Sequence, residues 1–502
     1  MKKLDKELDR PGWKLAHIIL LVLGTAFLAS GAFTPVLWFD ESYTVGLMNH
    51  DFWDMCVIAS YDVHPHLYYI LLKLVTMVTG NSIVVMRLFS VLGGALIGLL
   101  GYTHIRRDFG ARVGFWFSFF TFAMPVMFKY ALQIRMYTWA ALFITLTAIY
   151  AWRAAYQPER WKKNWILFAV FSLASAYTHY FGLFSVIVIN LFLLAYTLKN
   201  RQHILRWLLF GLIQIVAYLP GAWVLLRQMN EGGAVWIEVK YPQVLENTLD
   251  FYFIGGYTEN ATDMSQWDFY SSTIVAGAVW IFFLVMLILR LRKNPKDAKP
   301  AVVALLADLG IIAVTLFVSL FREIYFVRYT MVFYGLIVFF FAYLMSGVKW
   351  KVVQVLVAAI FIAVTVRWAI PAYESNYDVS ATAVEDKLGG VMQDGDVMLL
   401  NDRMGAFITV KFPDLDLYYY NPYDHNEDRA FQALAHEVHI VHDTQQVEED
   451  LQDYTGNIWV FNQDSVFCDL VEQLPDTRQV ETINIATKYY FYSYDLVLYQ
   501  KG

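Results

Sequence analysis

Long apolar runs separated by short polar segments occupy the chain from residue 15 to residue 370. The runs are about 17–22 residues long, which is the length a helix needs to cross roughly 30 Å of hydrocarbon. They predict eleven membrane-spanning helices. The predicted spans are 15–34, 83–104, 113–128, 131–152, 163–178, 180–198, 207–226, 273–291, 301–320, 326–346 and 350–370.

A twelfth apolar stretch, Leu67 to Thr79, is only thirteen residues long and carries Lys73 at its middle. A lysine at the centre of a span costs roughly 2.5–3.5 kcal/mol on insertion scales. With eleven spans and a cytoplasmic N-terminus, the cytoplasmic segments hold 22 Lys and Arg residues and the opposing loops hold 5. This asymmetry obeys the positive-inside rule, and a twelfth span would reverse it. We therefore expect a re-entrant or interfacial juxtamembrane helix on the outer face.

The character of the sequence changes after Pro371, where charged residues, Gly and Pro become frequent and no membrane-length run occurs. We expect a membrane domain over residues 1–371 and a soluble α/β domain over residues 372–502, because strand-like and helix-like stretches alternate there. An odd number of spans places this domain outside the cytoplasm. The strand-like stretches are 397–400, 415–420, 458–461 and 489–499, and the helix-like ones are 428–439 and 447–453.

The composition agrees with a multi-pass membrane protein, which we expect in the plasma membrane. Hydrophobic residues make up 58% of the chain, charged residues only 16%, and the mean hydropathy is +0.44. Soluble domains carry roughly 25% charged residues. The net charge of −6 gives no support for nucleic-acid binding, and Cys56 and Cys468 are too few for a disulfide framework.

The first outer loop, residues 35–63, contains five acidic residues and no Lys or Arg. Asp40 and Glu41 follow the first span by a few residues, which places them at the membrane surface. Loop acids are usually just solvated. Here the aromatic neighbours Trp38 and Phe39 favour packing against the bilayer over free hydration. We therefore consider Asp40 and Glu41 catalytic candidates.

A second cluster of polar side chains precedes the short apolar helix. Asp62, His64 and His66 come just before Tyr68 and Tyr69. Carboxylate and imidazole groups could ligate a divalent metal, although this spacing is not a recognised metal signature. The alternative is that the histidines and tyrosines anchor a helix at the membrane surface. The sequence leaves both interpretations open.

Ionisable residues also occur where the predicted spans meet the outer face. Arg135 opens one span, His179 and Tyr180 lie at the outer turn of a hairpin, and Arg328 and Tyr329 begin another span. Ionisable groups at membrane depth are costly and usually face a polar cavity. Arg135 is thus a phosphate ligand or a snorkelling anchor, and we favour the phosphate ligand.

The chain resembles the GT-C superfamily of membrane glycosyltransferases in four short motifs, whose order and sidedness together are fairly specific. The motifs are Asp40-Glu41, Asp62-x-His64-Pro65-x-Leu67-Tyr68-Tyr69, Arg135-Met136-Tyr137 and Arg328-Tyr329. The sequence looks most similar to bacterial relatives of the protein O-mannosyltransferases and lipid A aminoarabinose transferases, a group like glycosyltransferase family 39. The resemblance covers residue 15 to about residue 346. The family usually has a second proline where this chain has His66, which leaves the role of His66 open.

The resemblance implies an inverting, single-displacement sugar transfer with polyprenyl phosphate as the leaving group. A phosphate ester leaves without protonation, so one carboxylate suffices as general base. We expect Asp40 to be that base and Glu41 to orient it or the acceptor. The departing phosphate needs fixed cations and hydrogen-bond donors. The expected donor-phosphate ligands are Arg135, Arg328, Lys129, Tyr137 and Tyr329.

The remaining candidate residues would shape the site around the substrates. They are Asp62, His64, His66, Tyr68, Tyr69, His179 and Tyr180. A divalent metal is a candidate cofactor, with Asp62, His64 and His179 as its candidate ligands, and no other cofactor is indicated. The expected partners are a polyprenyl-phosphate-linked sugar, an extracytoplasmic acceptor such as a cell-envelope glycan, lipid or protein, and the lipid bilayer.

Two other classes of protein compete with an enzyme. A transporter or flippase of a lipid-linked sugar would line a path with the same charges, but transporters typically show internal repeats and helices broken at the midplane. We find neither pattern in the sequence. A non-catalytic membrane scaffold is disfavoured because the ionisable residues gather at one face.

Overall fold

A computed structural model of the chain describes residues 11–34, 36–231, 237–254, 266–377, 386–422, 428–462, 466–487 and 492–502. The predicted strand 489–499 therefore lies partly outside the described residues. The helices are α1 (Pro11–Ser30), α2 (Phe39–Asn49), α3 (Phe52–Ala59), α4 (Leu67–Thr79), α5 (Ile83–Leu100), α6 (Arg106–Phe109), α7 (Ala111–Ala123), α8 (Pro125–Leu132), α9 (Tyr137–Tyr156), α10 (Trp161–Thr178), α11 (Tyr180–Asn200), α12 (Ile204–Glu231), α13 (Tyr241–Phe251), α14 (Gln266–Lys293), α15 (Pro295–Ser319), α16 (Tyr334–Met345), α17 (Lys351–Asn376), α18 (Ala406–Thr409), α19 (Asp428–Phe431), α20 (Thr444–Leu451) and α21 (Val466–Gln473).

The C-terminal part of the chain forms a mixed sheet flanked by short helices. Its strands are β1 (Val397–Leu400), β2 (Asp416–Tyr420), β3 (Glu437–Val441), β4 (Gly456–Asn462), β5 (Thr477–Thr487) and β6 (Tyr492–Lys501). Among the described residues they follow the order β3-β2-β1-β4-β6-β5. The first four strands pair in parallel, and β6 pairs antiparallel with β4 and β5. The predicted α/β fold of this region is confirmed.

The chain forms a polytopic helical membrane protein, but the predicted count of eleven spans is not confirmed. Within the described part of the chain, eight helices are long and apolar enough to cross a bilayer, or nine if one bent pair counts as a span. Eight of the predicted spans coincide with these helices. Helices α9 and α10 correspond to the predicted spans 131–152 and 163–178. They are not among the helices that are both long and apolar enough to cross a bilayer.

The predicted span 113–128 is interrupted. α7 ends at Ala123, α8 begins at Pro125, and the two helix axes differ by 64°. Proline has no N–H for the helical ladder and forces the residue before it out of the helical region. Met124 accordingly has φ −94° and ψ 126°. Pro125 lies within a continuous apolar run, so one unbroken span was predicted here, and the bend corrects that prediction.

Helix α4 confirms the predicted thirteen-residue helix. At about 1.5 Å per residue it is roughly 20 Å long, too short to cross about 30 Å of hydrocarbon. Lys73 is buried and its Nζ donates a hydrogen bond of 2.8 Å to the carbonyl of Met48, near the C-terminus of α2. A cation at that end of a helix is stabilised by the helix dipole. The hydrogen bond of Lys73 therefore links α4 to α2.

The predicted helix over 428–439 is wrong at its C-terminal end. α19 ends at Phe431, and Glu437–Val441 is strand β3, which pairs in parallel with β2. The valine and isoleucine in this segment favour a strand. β5 was not predicted, because its sequence contains few apolar residues to form an alternating pattern. Tyr418 and Tyr419 of β2 are buried in the core of this region.

The chain divides into two compact units. Unit 1 contains Met1–Ala32, Arg87–Trp223 and Ala234–Ala372, and unit 2 contains Phe33–Met86, Val224–Gly233 and Tyr373–Gly502. The last segment of unit 2 begins next to the domain boundary predicted at residue 371. Unit 2 also includes the first outer loop and α4, which the sequence assigned to the membrane domain.

Unit 1 contains a buried ion pair that supports a strong stability prediction. Arg153 Nε lies 2.6 Å from Asp108 Oδ2, and both side chains are only 2% exposed. Arg153→Ala should lower the free energy of unfolding by about 3–5 kcal/mol, because it leaves an uncompensated buried charge. Arg107 also lies near Asp108, at 3.5 Å, but is 53% exposed. Its replacement by Ala is the matched control and should cost no more than about 1 kcal/mol.

Thermal unfolding of the purified protein in detergent measures both variants. Equal melting temperatures for Arg153→Ala and Arg107→Ala would contradict the assignment of the buried pair as a stabilising element of unit 1.

Candidate active site

The carboxylates Asp40 and Glu41 lie in the first turn of α2, in unit 2. Carboxylates at a helix N-terminus are stabilised by the helix dipole and by the unpaired N–H groups there. Glu41 is only 1% exposed, and its Oε2 accepts a hydrogen bond of 3.4 Å from the backbone N–H of Trp38. Asp40 is half-buried. The two acids therefore differ in accessibility, with Glu41 fixing the helix start and Asp40 the more accessible of the two.

The segment that contains Asp62 and His64 joins α3 to α4 in the same unit. Asp62 Oδ2 accepts a hydrogen bond of 2.8 Å from the hydroxyl of Tyr69, which is fully buried. His64 is 5% exposed. Gln228 donates from Nε2 to the carbonyls of Ala59 and His64, at 3.3 and 3.2 Å. These hydrogen bonds hold the segment on both sides of Asp62, and they therefore fix the position of its carboxylate.

His66, whose role the sequence leaves open, makes a hydrogen bond to α3. Its Nε2 donates a hydrogen bond of 3.1 Å to the carbonyl of Cys56 in α3. Burial lowers the pKa of His66, and the bond to Cys56 opposes this only in part. A neutral imidazole that donates to a helix carbonyl links α3 to the start of α4. The helix begins at Leu67, so Pro65 precedes it by two residues.

In unit 1, the residues around Arg135 form a second polar centre. Arg135 lies between α8 and α9 and is 3% exposed. His179 is the N-cap of α11, and its Nδ1 accepts a hydrogen bond of 3.0 Å from the N–H of Phe181. Burial, and then the positive charge of Arg135, lower the pKa of His179 to about 3. The imidazole is therefore neutral at physiological pH and carries its proton on Nε2.

Aromatic side chains enclose His179. The ring of Tyr329 lies 4.9 Å from the imidazole, centre to centre, and the ring of Tyr137 lies 6.1 Å away. Both tyrosines are less than a tenth exposed. The structure thus brings together Arg135, Tyr137, His179 and Tyr329, which come from three separate segments of the sequence.

The other predicted residues of unit 1 are less deeply buried. Arg328 is half-buried, and its guanidinium carbon stacks 4.5 Å from the ring centre of Phe326. Lys129 is half-buried in α8, and Tyr180 is half-buried at the start of α11. Their roles as ligands of the donor phosphate or as residues that shape the site stay predictions.

Comparisons with known proteins support one fold. The family model described as dolichyl-phosphate-mannose-protein mannosyltransferase matches residues 63–223. The crystal structure of ArnT from Cupriavidus metallidurans bound to undecaprenyl phosphate matches with a TM-score of 0.60 and 12% identity, covering 97% of this chain and 98% of that chain. The chain has a GT-C fold. The apo structure of the same protein gives the same values. No curated protein sequence matches significantly.

The GT-C resemblance inferred from four sequence motifs is confirmed at the level of the fold. The matched family segment includes His64, Arg135 and His179, whereas Asp40 and Arg328 lie outside it. The fold likeness extends over nearly the whole chain, including the C-terminal sheet, to which the sequence resemblance added little.

Sequence reasoning missed two buried polar residues, Gln228 and Asp308. Gln228 was not selected, because nothing in an apolar helix end predicts a contact more than 160 residues away in sequence. Asp308 is 4% exposed in α15, and its Oδ1 accepts no hydrogen bond from the described residues. A single acidic residue within a predicted span could have been recognised as a candidate functional residue, because such residues are rare and energetically costly.

One group of metal-type ligands occurs among the described residues. Asp416, Glu437 and His439 offer ligand atoms within 4.8 Å of one another on β2 and β3. None of the three is buried. The predicted candidates Asp62, His64 and His179 do not belong to this group, and their role as metal ligands stays a prediction.

Proposed function

We propose that the protein is an inverting glycosyltransferase that takes its sugar from a polyprenyl-phosphate donor and passes it to an acceptor at the extracytoplasmic face of the plasma membrane. The observation that carries the proposal is the half-buried Asp40 in the first turn of α2, beside the buried, hydrogen-bonded Glu41, in a chain with a GT-C fold. The similar ArnT structure contains undecaprenyl phosphate, which supports a donor of that class.

In the proposed reaction, Asp40 takes the proton of the acceptor hydroxyl as the hydroxyl oxygen attacks the anomeric carbon. The bond between that carbon and the phosphate oxygen breaks, and its electron pair stays on the polyprenyl phosphate. A phosphate needs no proton to leave, so one base is enough. Attack opposite the leaving group inverts the anomeric configuration. Glu41 acts as a positioning residue, because it fixes the start of the helix that carries Asp40.

The charge that develops on the leaving phosphate requires preorganised donors. We assign this role to Arg135, with Arg328 and Lys129 as further cations. The guanidinium fork suits bidentate contact with phosphate oxygens. Tyr137 and Tyr329 supply hydroxyl groups, and a neutral His179 adds polarity without a second charge. A divalent metal, if one is held by Asp62, His64 or His179, would supply further positive charge.

The experiment that tests the function uses the purified full-length chain in nanodiscs with undecaprenyl-phosphate sugars and a panel of extracytoplasmic acceptors. We expect release of undecaprenyl phosphate together with a product of inverted anomeric configuration. If the protein moves the intact lipid-linked sugar across a sealed vesicle membrane and cleaves none of it, the transporter alternative replaces the enzyme.

A further inference from the structure

Two carboxylates and an imidazole lie together where strands β2 and β3 of the C-terminal sheet pair. Asp416 in β2 is the register partner of Glu437 in β3, and Tyr418 is the partner of His439. Residues two positions apart in a strand point to the same face of the sheet. Asp416, Glu437 and His439 therefore share a face, and their ligand atoms lie within 4.8 Å of one another. We call these three residues the sheet triad.

The carboxylates of the triad have no cationic side chain to balance them. Within the described ranges, neither Asp416 nor Glu437 forms an ion pair with a Lys or an Arg. Asp450 in α20 adds a further acid to this part of the sheet. Burial, and then the negative charges of Asp416 and Asp450, raise the pKa of Tyr418 to about 12. Carboxylates that are close together repel each other, and a cation placed between them removes that repulsion.

The contact between Asp416 and His439 differs from an ordinary hydrogen-bonded pair. His439 Nε2 lies 2.8 Å from Asp416 Oδ1, yet this oxygen is buried and accepts no hydrogen bond from the described residues. The ring N–H is therefore not directed at the oxygen as a donor would be. By contrast, His436 Nδ1 lies at the same 2.8 Å from Asp414 Oδ1 and is hydrogen-bonded to it.

Two side chains that ligate one ion have the geometry seen between Asp416 and His439. Ligand atoms that bind one zinc ion at about 2.0–2.1 Å lie roughly 3 Å apart, and they point at the ion instead of at each other. The pair thus has the spacing of neighbouring ligands without the direction of a hydrogen bond. The carboxylate of Glu437, on the same face, offers the third ligand atom.

The surroundings hold the imidazole in place and leave the triad open to solvent. The ring of Tyr418 stacks on that of His439, with centres 4.6 Å apart and an angle of 23° between the planes. Tyr418 is only 6% exposed, so its position is fixed by the core of the sheet. The side chains of His439 and Asp416 are 45% and 30% exposed. An ion from solution can therefore reach ligands that are already oriented.

The donor set of the triad selects the class of ion. Ca²⁺ and Mg²⁺ prefer sites made of oxygen ligands alone. An imidazole together with carboxylates suits divalent transition metals, and zinc accepts nitrogen and oxygen ligands in one site. Three protein ligands complete a tetrahedral zinc site when a water molecule takes the fourth position.

We propose that the sheet triad binds a divalent transition-metal ion, zinc above all, and that this ion joins β3 to β2. Over the described residues β3 is an edge strand, held by its pairing with β2 alone. A metal bridge between the two strands would therefore stabilise the strand of this sheet that has only one neighbour. None of the three residues has a role in the proposed sugar transfer, so the site does not depend on that function.

The test is zinc binding to the full-length protein in detergent, with the affinity tag removed and metals stripped by EDTA. Isothermal titration with zinc chloride measures the affinity. Glu437→Gln keeps the shape of the side chain, and His439→Phe keeps a ring on Tyr418. Each should weaken zinc binding by about tenfold or more, because losing even an outer partner of a metal ligand typically costs about 10–100-fold. Zinc should raise the melting temperature of the wild type more than that of either variant.

The matched control is His436→Phe, which removes an imidazole from the hydrogen-bonded pair with Asp414, outside the triad. It should bind zinc like the wild type. Without zinc, Glu437→Gln and His439→Phe should melt like the wild type, which would separate the loss of a ligand from the loss of the fold. Zinc binding that is absent in the wild type, unchanged in both triad variants or equally weakened in His436→Phe would overturn the site. Displacement of zinc by an equal concentration of magnesium or calcium would overturn the assignment to a transition metal.

Discussion

Asp40→Asn is expected to lower the rate of sugar transfer by about a thousand-fold, within the 10²–10⁴-fold range of general-base catalysis. The amide has the shape of the carboxylate but cannot accept the acceptor's proton. Asp40 is half-buried at the start of α2, and the buried Glu41 bonds to the backbone of Trp38. The helix start should therefore survive the substitution, and the loss should appear in kcat. The measurement is initial-rate transfer from undecaprenyl-phosphate sugar by the purified protein.

The matched control for this experiment is Asp51→Asn in the same unit. Asp51 is the exposed N-cap residue of α3, and its side chain makes no capping hydrogen bond. It should transfer sugar at nearly the normal rate. If Asp40→Asn turned over normally while folding normally, Asp40 would not be the base, and the function assigned to the first outer loop would have to be given up.

Arg135→Ala should have the second largest effect, a fall of about 10²–10³-fold in kcat/KM for the donor, as when one preorganised stabiliser of a developing anion is removed. Arg135 is 3% exposed and close enough to His179 to lower the pKa of that imidazole. Its charge thus acts in a poorly solvated environment, where Coulomb interactions are stronger than in water. The acceptor KM should change little, because the loss concerns the leaving phosphate.

Two further variants separate charge from geometry. Arg135→Lys keeps the charge but not the bidentate fork, and should recover only part of the rate. Arg322→Ala removes a half-buried arginine from the segment that follows α15 and should leave the donor parameters near normal. An effect of Arg135→Ala confined to the acceptor KM would contradict its assignment to the donor phosphate.

The sequence by itself determined the membrane class, most of the apolar helices and the short helix α4. These features depend on local properties, since an apolar run of sufficient length has no favourable place except the bilayer or a large core. The strands β1, β2 and β4 were predicted for a similar reason, because their residues favour a half-buried pleated surface. The acids of the first loop were also recognisable, because Asp40 and Glu41 follow an apolar run with no compensating cation nearby.

Only the tertiary structure decided which distant residues meet. Arg227 and Arg429 reach the Tyr61 hydroxyl from 166 and 368 positions away in the chain. No hydropathy or spacing pattern encodes such contacts, because they depend on how helices and strands pack. The same holds for β3, where pairing with β2 overrode a helix-like segment. The grouping of the first outer loop with the C-terminal sheet in one unit is likewise a result of packing, whereas the charge pattern reports only on local position in the membrane.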